Sequence, residues 1–415
     1  MKSGWENKTF SEVLEVLRNG INCKQSNQAI GDKISRIKTI SNANFDIEKV
    51  GYATLHKNIK DKYRLKIGDI LFSHINSSAH IGKTASFNLN EEVYHGVNLL
   101  LMRTKSFLDM HFFEYYLKFL FQKGYWKRLC KQSVNQASVN QQDIHKVEIN
   151  YPKSIQEQQR IVNILNKAFA TIDKIKANTE KKLKNTQEFF ESHLNSIFEN
   201  KGEMWERKLV KEVCELNPQK KEVRNTINAS DWVTFLPMED LGILNKEVKG
   251  VKSKQLKDVS GSYTYFADND VLLAKITPCF ENGKIGIARN LTNGVGFGSS
   301  EYIVLRSKGN ISSDYLYYFF SRDIIREEGK KLMIGSVGHK RISKDWIENY
   351  LISFPKFLSD QQIIVRKLDT LRTQTKKLQA IYQQKLHNLE ELKKSILQKT
   401  FNGELKSVEE SIPHE

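Results

Sequence analysis

The sequence predicts an α+β protein built twice over. Two mixed globular domains are joined by two long helices that form an antiparallel coiled coil, the copies being related by a pseudo-two-fold axis. Three observations predict this: the chain repeats itself with an offset of 200 to 203 residues, each copy opens with short apolar strand phrases punctuated by Gly and Asn, and each copy closes with a long stretch free of Pro and Gly that carries a heptad-like apolar seam. At 415 residues the chain is too long for one ordinary core and suits two or three domains.

The duplication is legible letter by letter. GWENKTFSEV at 4–13 answers MWERKLVKEV at 204–213, GDILFSHI at 68–75 answers NDVLLAKI at 269–276, and Gly82-Lys83 answers Gly283-Lys284. LMRT at 101–104 then aligns with VLRS at 304–307, and Ser133-Val134 with Ser336-Val337. The clearest block is PKSIQEQQRIVNIL at 152–165 against PKFLSDQQIIVRKL at 355–368, which share seven of fourteen positions. The stretches 14–66 and 214–267 have no comparable match, so a frame is repeated while the surfaces between have diverged.

Within each copy, phrases such as DILFSHI, NLLLMR, YTYFA, DVLLAKI and YIVLR read as short strands. HFFEYYLKFLFQKGYW at 111–126 and SDYLYYFFSRDIIREEGKK at 313–331 read as helices; aromatics at that spacing are expected in the core rather than stacked on a ligand. The first long helix has its seam at Ile161, Leu165, Ala168, Ile172, Ile175 and Thr179, continuing less regularly through Leu183, Phe190, Leu194 and Ile197. The second runs through Ile364, Leu368, Leu371, Thr375, Leu378, Tyr382, Leu389, Leu392 and Ile396, with Leu386 able to stand in at the break made by Lys385. Pro152 and Pro355 end the preceding strands, and the polar residues that follow can cap the helices. Each seam needs an apolar partner, and the simplest is the other helix, antiparallel, as a spacer between two globular domains. Independent helical tails and dimerisation in trans stay open as alternatives.

Lys and Arg number 65 against 48 Asp and Glu, a net charge of +17 that draws the chain to polyanions, nucleic acid first. No apolar run reaches 18 residues, and MKSGWENKTF has no leader-like apolar region, so neither a span nor export is expected. Cys23, Cys130, Cys214 and Cys279 form no CxxC pair, which suits a reducing cytoplasm and argues against a zinc ribbon or disulfide framework. The histidines show no tight metal spacing.

Two diverged domains alternating with two similar long helices resemble the specificity subunit of type I restriction-modification enzymes over almost the whole chain. LKKSILQKTFNGEL at 392–405, its weaker echo ESHLNSIFENKGE at 191–203, FLPMEDLG at 235–242 and the P-x(5)-Q-Q step at Pro152–Gln159 and Pro355–Gln362 are similar to phrases of that family. The resemblance implies target recognition domains at 1–152 and 201–355, spacer helices at 153–200 and 356–403, and a tail at 404–415. Each recognition domain would read one half of a bipartite, asymmetric double-stranded DNA target, with the helices as a ruler. Two major-groove readers on one face of B-DNA stand about 10 bp apart. Implied partners are two methyltransferase subunits and restriction/translocase subunits, with no membrane. S-adenosylmethionine, ATP and magnesium belong on those partners, and no cofactor is expected on this chain.

Catalytic motifs are correspondingly missing. Asn217-Pro218 continues as Gln-Lys, not as the Pro-Tyr of an amino-methyltransferase loop. IGKT at 81–84 lacks the upstream Gly of a phosphate-binding loop, Ser77 standing there, and a hairpin turn with a phosphate-facing Lys is preferred. Asp240, Glu247 and Lys249 could mimic a metal-dependent nuclease cluster but have no counterpart in copy one and read as solvated charge. DNA contacts are expected from polar loops. In copy one these offer Ser73, His74, Asn76, Ser77, His80 and Lys83, then Asn135, Gln136, Ser138, Asn140 and Gln141. In copy two they offer Lys275, Thr277, Asn282 and Lys284, then Ser336, His339, Lys340, Arg341 and Lys344. The rival readings are a coiled-coil interaction scaffold without sequence-specific recognition and a cryptic nuclease.

Overall fold

The computed structural model describes residues 4–133, 136–199, 202–224, 227–248 and 252–404 and divides into two compact units. One comprises residues 1–179 with 384–415, the other 180–383, so each long helix gives one half to each unit. The division therefore runs through the helices, not between globular part and helix.

Both units close by the same device. Strand Trp5–Thr9 pairs antiparallel with Glu148–Pro152, Trp5 opposite Pro152, and Trp205–Leu209 pairs with Leu351–Pro355, Trp205 opposite Pro355. The repeated Glu of the opening phrase acts locally. The Glu12 carboxylate accepts from the Thr9 N–H at 2.8 Å and Glu212 from the Leu209 N–H at 2.6 Å, holding the first turn of the helices Phe10–Val13 and Val210–Val213.

A four-stranded sheet follows in each unit, in the order Leu14–Asn19, Leu100–Thr104, Asp69–Phe72, Thr84–Phe87 in the first and Cys214–Leu216, Tyr302–Ser307, Val271–Ala274, Ile285–Ile287 in the second. The central strands are covered on both faces, which is why DILF and VLLA are unbroken apolar or buried runs instead of alternating ones. A second sheet in each unit contains one parallel pair, Asp32–Ile34 with Val93–Tyr94 and Trp232–Leu236 with Val295–Gly298. One buried ion pair recurs: Arg103 grips Asp69 through two bonds of 2.7 and 2.9 Å, and Arg306 grips Asp270 at 2.8 and 2.7 Å. Burial nevertheless pushes the Asp270 carboxyl above the usual carboxylate range.

The aromatic helices Met110–Gln122 and Ser313–Ser321 are core elements, with Phe112, Phe113, Tyr315, Tyr317 and Phe320 all buried. Each receives the far end of a long helix. Phe401 packs edge-on against Phe112 and Tyr116 at 5.4 and 5.1 Å in the first unit, and Phe198 against Tyr315 and Phe319 at 5.0 and 5.5 Å in the second. Thus one helix starts in a unit and the other ends in it.

The long helices span Ile155–Glu199 and Leu358–Phe401. In the first unit they run antiparallel, as the ion pairs Asp173–Lys393 and Lys176–Glu390 show by their opposite order. Ser154 Oγ accepts from the Glu157 N–H at the first helix start, but Phe357 stands at that place in the second, so polar capping holds for one copy only. The P-x(5)-Q step explains itself at both starts. Gln158 is fully buried; its amide donates to the carbonyls of Pro152 and Phe107 and its oxygen accepts from the Asp109 N–H. Gln361 does the same with Pro355, Asn310 and Ser312.

The second helix corrects the seam expected of it. Leu378 and Leu392 are 43% and 47% exposed, while Arg372, Gln379, Leu386 and Lys393 turn inward. From Leu368 the buried line steps by four then three, not three then four. Long polar stems take the half-buried places, which their aliphatic carbons tolerate.

Candidate nucleic-acid interface

The two polar loops singled out in each copy are brought together by main-chain pairing, in the same register in both units. In the first, Lys131 lies opposite Ser138, Ser138 lies opposite Ile75, and the Val139 N–H donates to the His74 carbonyl at 2.9 Å. In the second, Ile334 lies opposite Arg341, Arg341 opposite Ile276, and the Ile342 N–H donates to the Lys275 carbonyl at 2.9 Å. Each unit thus presents a hairpin zipped to a loop that leaves the central sheet strand. None of these bonds uses a side chain, so the side chains are free to differ.

Their placement sorts the expected contact residues. In the first unit Ser73 and His74 are 1% and 6% exposed and hold the loop from within. Burial pushes the His74 imidazole down to about 4, so it stays neutral. Asn76 donates to Ser73 Oγ, and Ser77 Oγ meets His80 Nδ1 at 2.9 Å on the exposed side. Ser73, Asn76, His80 and Lys83 share a cleft of about 150 Å³ with Ile37 and Ser41. Ser138 is exposed; Asn140 caps the helix Gln141–His145, and Gln141 donates to Asn19. Asn135 lies outside the described residues, as does the side chain of Gln136.

In the second unit Lys275 Nζ donates to the Ser300 carbonyl, Thr277 Oγ1 to Glu281, and Asn282 is exposed. Ser336, His339 and Lys340 are exposed on the hairpin. Arg341 is tied back to Glu301 by bonds of 2.7 to 3.2 Å, and this guanidinium holds the Glu301 carboxyl below the usual range. Lys344 begins the short helix Lys344–Glu348 and pairs with Glu348 at 2.9 Å.

Gly82-Lys83 and Gly283-Lys284 form the same turn twice, at φ +85° and +76°, conformations that favour glycine. A Cβ at Gly82 would also lie 2.1 Å from Trp126. The lysine, expected to face a phosphate, spends one donor inside the chain: Lys83 Nζ donates to the Ser41 carbonyl at 2.8 Å and Lys284 Nζ to that of Met238 at 2.6 Å. Sequence reasoning passed over Lys131, exposed at the base of the first hairpin, and Glu301, which braces the second. Extending the 203-residue offset to 131 and 334 was the signal that could have found Lys131.

Asp240 pairs with Lys252 at 2.9 Å, Lys249 lies outside the described residues, and no metal-holding group of three His, Cys, Asp or Glu occurs among the described residues. No helix among them is long and apolar enough to cross a membrane.

Against known proteins, residues 2–185 and 202–389 each match the type I restriction modification DNA specificity domain. The chain belongs to this family. It is a specificity subunit: its role is sequence-specific DNA recognition in a type I restriction-modification system, its partners are DNA and the other subunits of such a system, and the family is non-catalytic. It is 31% identical over 432 residues to a putative type I restriction enzyme MjaX specificity subunit from Methanocaldococcus jannaschii, covering 97% of this chain and 94% of that one. The EcoAI specificity subunit of Escherichia coli is 35% identical over 166 residues, 39% of this chain and 27% of that one. Among solved structures, a chain from work on complex assembly and conformational transition of the type I R-M system superposes with a TM-score of 0.73 at 16% identity, covering 98% of this chain and 99% of that one. The HsdS subunit from Thermoanaerobacter tengcongensis superposes at 0.57 and 17% identity, covering 98% of each chain. At such identities these two speak for the fold.

Proposed function

We propose that each unit reads one half of a bipartite, asymmetric DNA target through its zipped pair of polar loops, and that the chain directs two methyltransferase subunits, joined by restriction/translocase subunits, to that target in the cytoplasm. Recognition domains at 1–152 and 201–355 carry the readers; the helices at 153–200 and 356–403 are the spacer, followed by a tail at 404–415. Methyl donor, ATP and magnesium are held by the partners. The carrying observation is the identical register of the two loops in both units beneath different side chains. A frame kept by main-chain bonds, with Ser, Asn, Gln, His and Lys varied upon it, suits two half-sites of different sequence, because base edges are told apart by side-chain donors and acceptors.

The test is to coexpress the chain with its methyltransferase subunit and map modified adenines across a host genome by long-read sequencing. Modification at one split motif, present only with this chain, is expected. Unchanged modification without it, despite a stable complex, would overturn the proposal. Exchanging residues 4–152 for those of another family member should change one half of the motif and leave the other.

A further inference from the structure

The second unit's hairpin carries an apolar tip that polar readout does not use. Val337 is 94% exposed and Ile334 80%, and Leu332 just before them is also exposed. Burying a Val or Ile side chain is worth roughly 1.5–3 kcal/mol, so two left in water on one hairpin point to a surface that covers them. The tip is held out, not loose. Ile334 and Arg341 exchange both main-chain hydrogen bonds, at 3.1 and 2.9 Å, and Arg341 is clamped to Glu301. The His339 N–H closes a turn onto the Ser336 carbonyl at 2.9 Å, and Gly338 at its third position has φ +82°. Val337 therefore sits at the apex.

The charge around the tip selects its partner. Lys330, Lys331, His339 and Lys340 are exposed within eleven residues of chain, and Lys331 and Lys340 make no ion pair among the described residues. An apolar apex between cations fits a polyanion that has a small apolar group, and the thymine C5-methyl in the DNA major groove is one. Minor-groove wedges that part base steps use Phe, Leu, Ile, Met or Pro, and valine, the residue at this apex, is not among them. A valine on a glycine-flanked turn is a compact projection that suits a methyl contact better. In sequence Val134 answers Val337, but the first unit has Lys131 where the second has Ile334, so only the second copy pairs the apex valine with an isoleucine.

We propose that Val337, supported by Ile334, reads a thymine methyl in the half-site recognised by the second unit. The proposal rests on the hairpin being part of the DNA interface, and its test separates the two. With the target mapped, the complex of this chain with its methyltransferase subunits is titrated by fluorescence anisotropy against duplexes in which each target thymine is replaced, one at a time, by deoxyuracil, which removes only the methyl. At one thymine the wild type should bind about fourfold more weakly, the weight of one buried methyl. Val337→Ala should bind the thymine duplex that much more weakly and be indifferent to the exchange there; at so exposed a position the fold is unaffected. Lys340→Ala should weaken binding to every duplex and keep the distinction. Tolerance of every exchange by the wild type, or a distinction that survives in Val337→Ala, would overturn the methyl reading while specific binding stands. No preference for the target over a scrambled duplex would overturn the DNA reading itself.

Discussion

The hairpins Lys131–Ser138 and Ile334–Arg341 occupy the same place in the two units, share their pairing partners to the residue, and differ in sequence at six of eight positions. One has lysine at its base where the other has isoleucine. The loop beneath carries buried His74 in the first unit and half-exposed Lys275 in the second. What persists between the copies is written in main-chain bonds, in the ion pairs Asp69–Arg103 and Asp270–Arg306, and in Gln158 and Gln361. What differs is written in side chains that none of those bonds involve. A duplicated frame can thus serve two ligands without being rebuilt.

If the units are equivalent in frame and separate in folding, breaking the repeated ion pair should harm only its own unit. Asp69→Ala leaves the half-buried Arg103 guanidinium without its two-bond partner, at about 3 kcal/mol, while Asp270→Ala leaves Arg306 its bond to Glu222 and should cost less. Hydrogen exchange read peptide by peptide should place the loss in residues 4–179 for the former and 180–383 for the latter. Equal loss in both would mean that the long helices fuse them into one cooperative block.

A second difference is a matter of pH. Burial holds His74 at about 4 and His95 at about 3, whereas the described histidines of the second unit, His193 and His339, are exposed. These folded values lie below the unfolded value near 6.5, so the unfolded chain takes up the protons first as pH falls. The stability they contribute is complete above about pH 6.5 and drains away towards pH 4 and below. Between pH 7 and 5 the first unit should lose roughly 2 kcal/mol per histidine relative to the second. Exchange rates corrected for pH, or limited proteolysis at the two pH values, would report it, and His95→Gln should remove about half. A second unit that loosens first would reverse the comparison.

The smallest effects test the helix seam. Leu378→Ser and Leu392→Ser, one in each unit, should change stability by no more than about 0.5 kcal/mol, while Leu368→Ala and Leu397→Ala, at fully buried places, should cost about 2–5 kcal/mol in urea unfolding.

The duplication, the order of globular part and helix, and the core role of the aromatic helices were legible because they rest on apolar period and repetition. The phase of the second helix was not. Leu378 and Leu392 are apolar and lie one residue from the buried line, and only packing shows that Gln379 and Lys393 take the inside places with their stems. The loops were legible as polar and as equivalent, but not as two layers. Ser73 and His74 read like contact residues, yet the adjoining strand Asp69–Phe72 continues its burial through them. That Arg341 answers to Glu301, forty residues away, could not be read from spacing.

Gln158 and Gln361 carry a last consequence. Each reaches three neighbours, and every one is a main-chain group: Pro152, Phe107 and Asp109 for the first, Pro355, Asn310 and Ser312 for the second. Phe107 answers Asn310 with no resemblance in type, and Asp109 answers Ser312 only as the residue that caps the aromatic helix, a role their side chains and not their bonds to the glutamine fulfil. A joint of this kind places no demand on the identity of the residues it touches. Mutation can therefore drift through the surrounding loops for long periods without altering the angle at which the helix leaves the domain, and new binding preferences can be tried while the join between reader and helix is inherited intact.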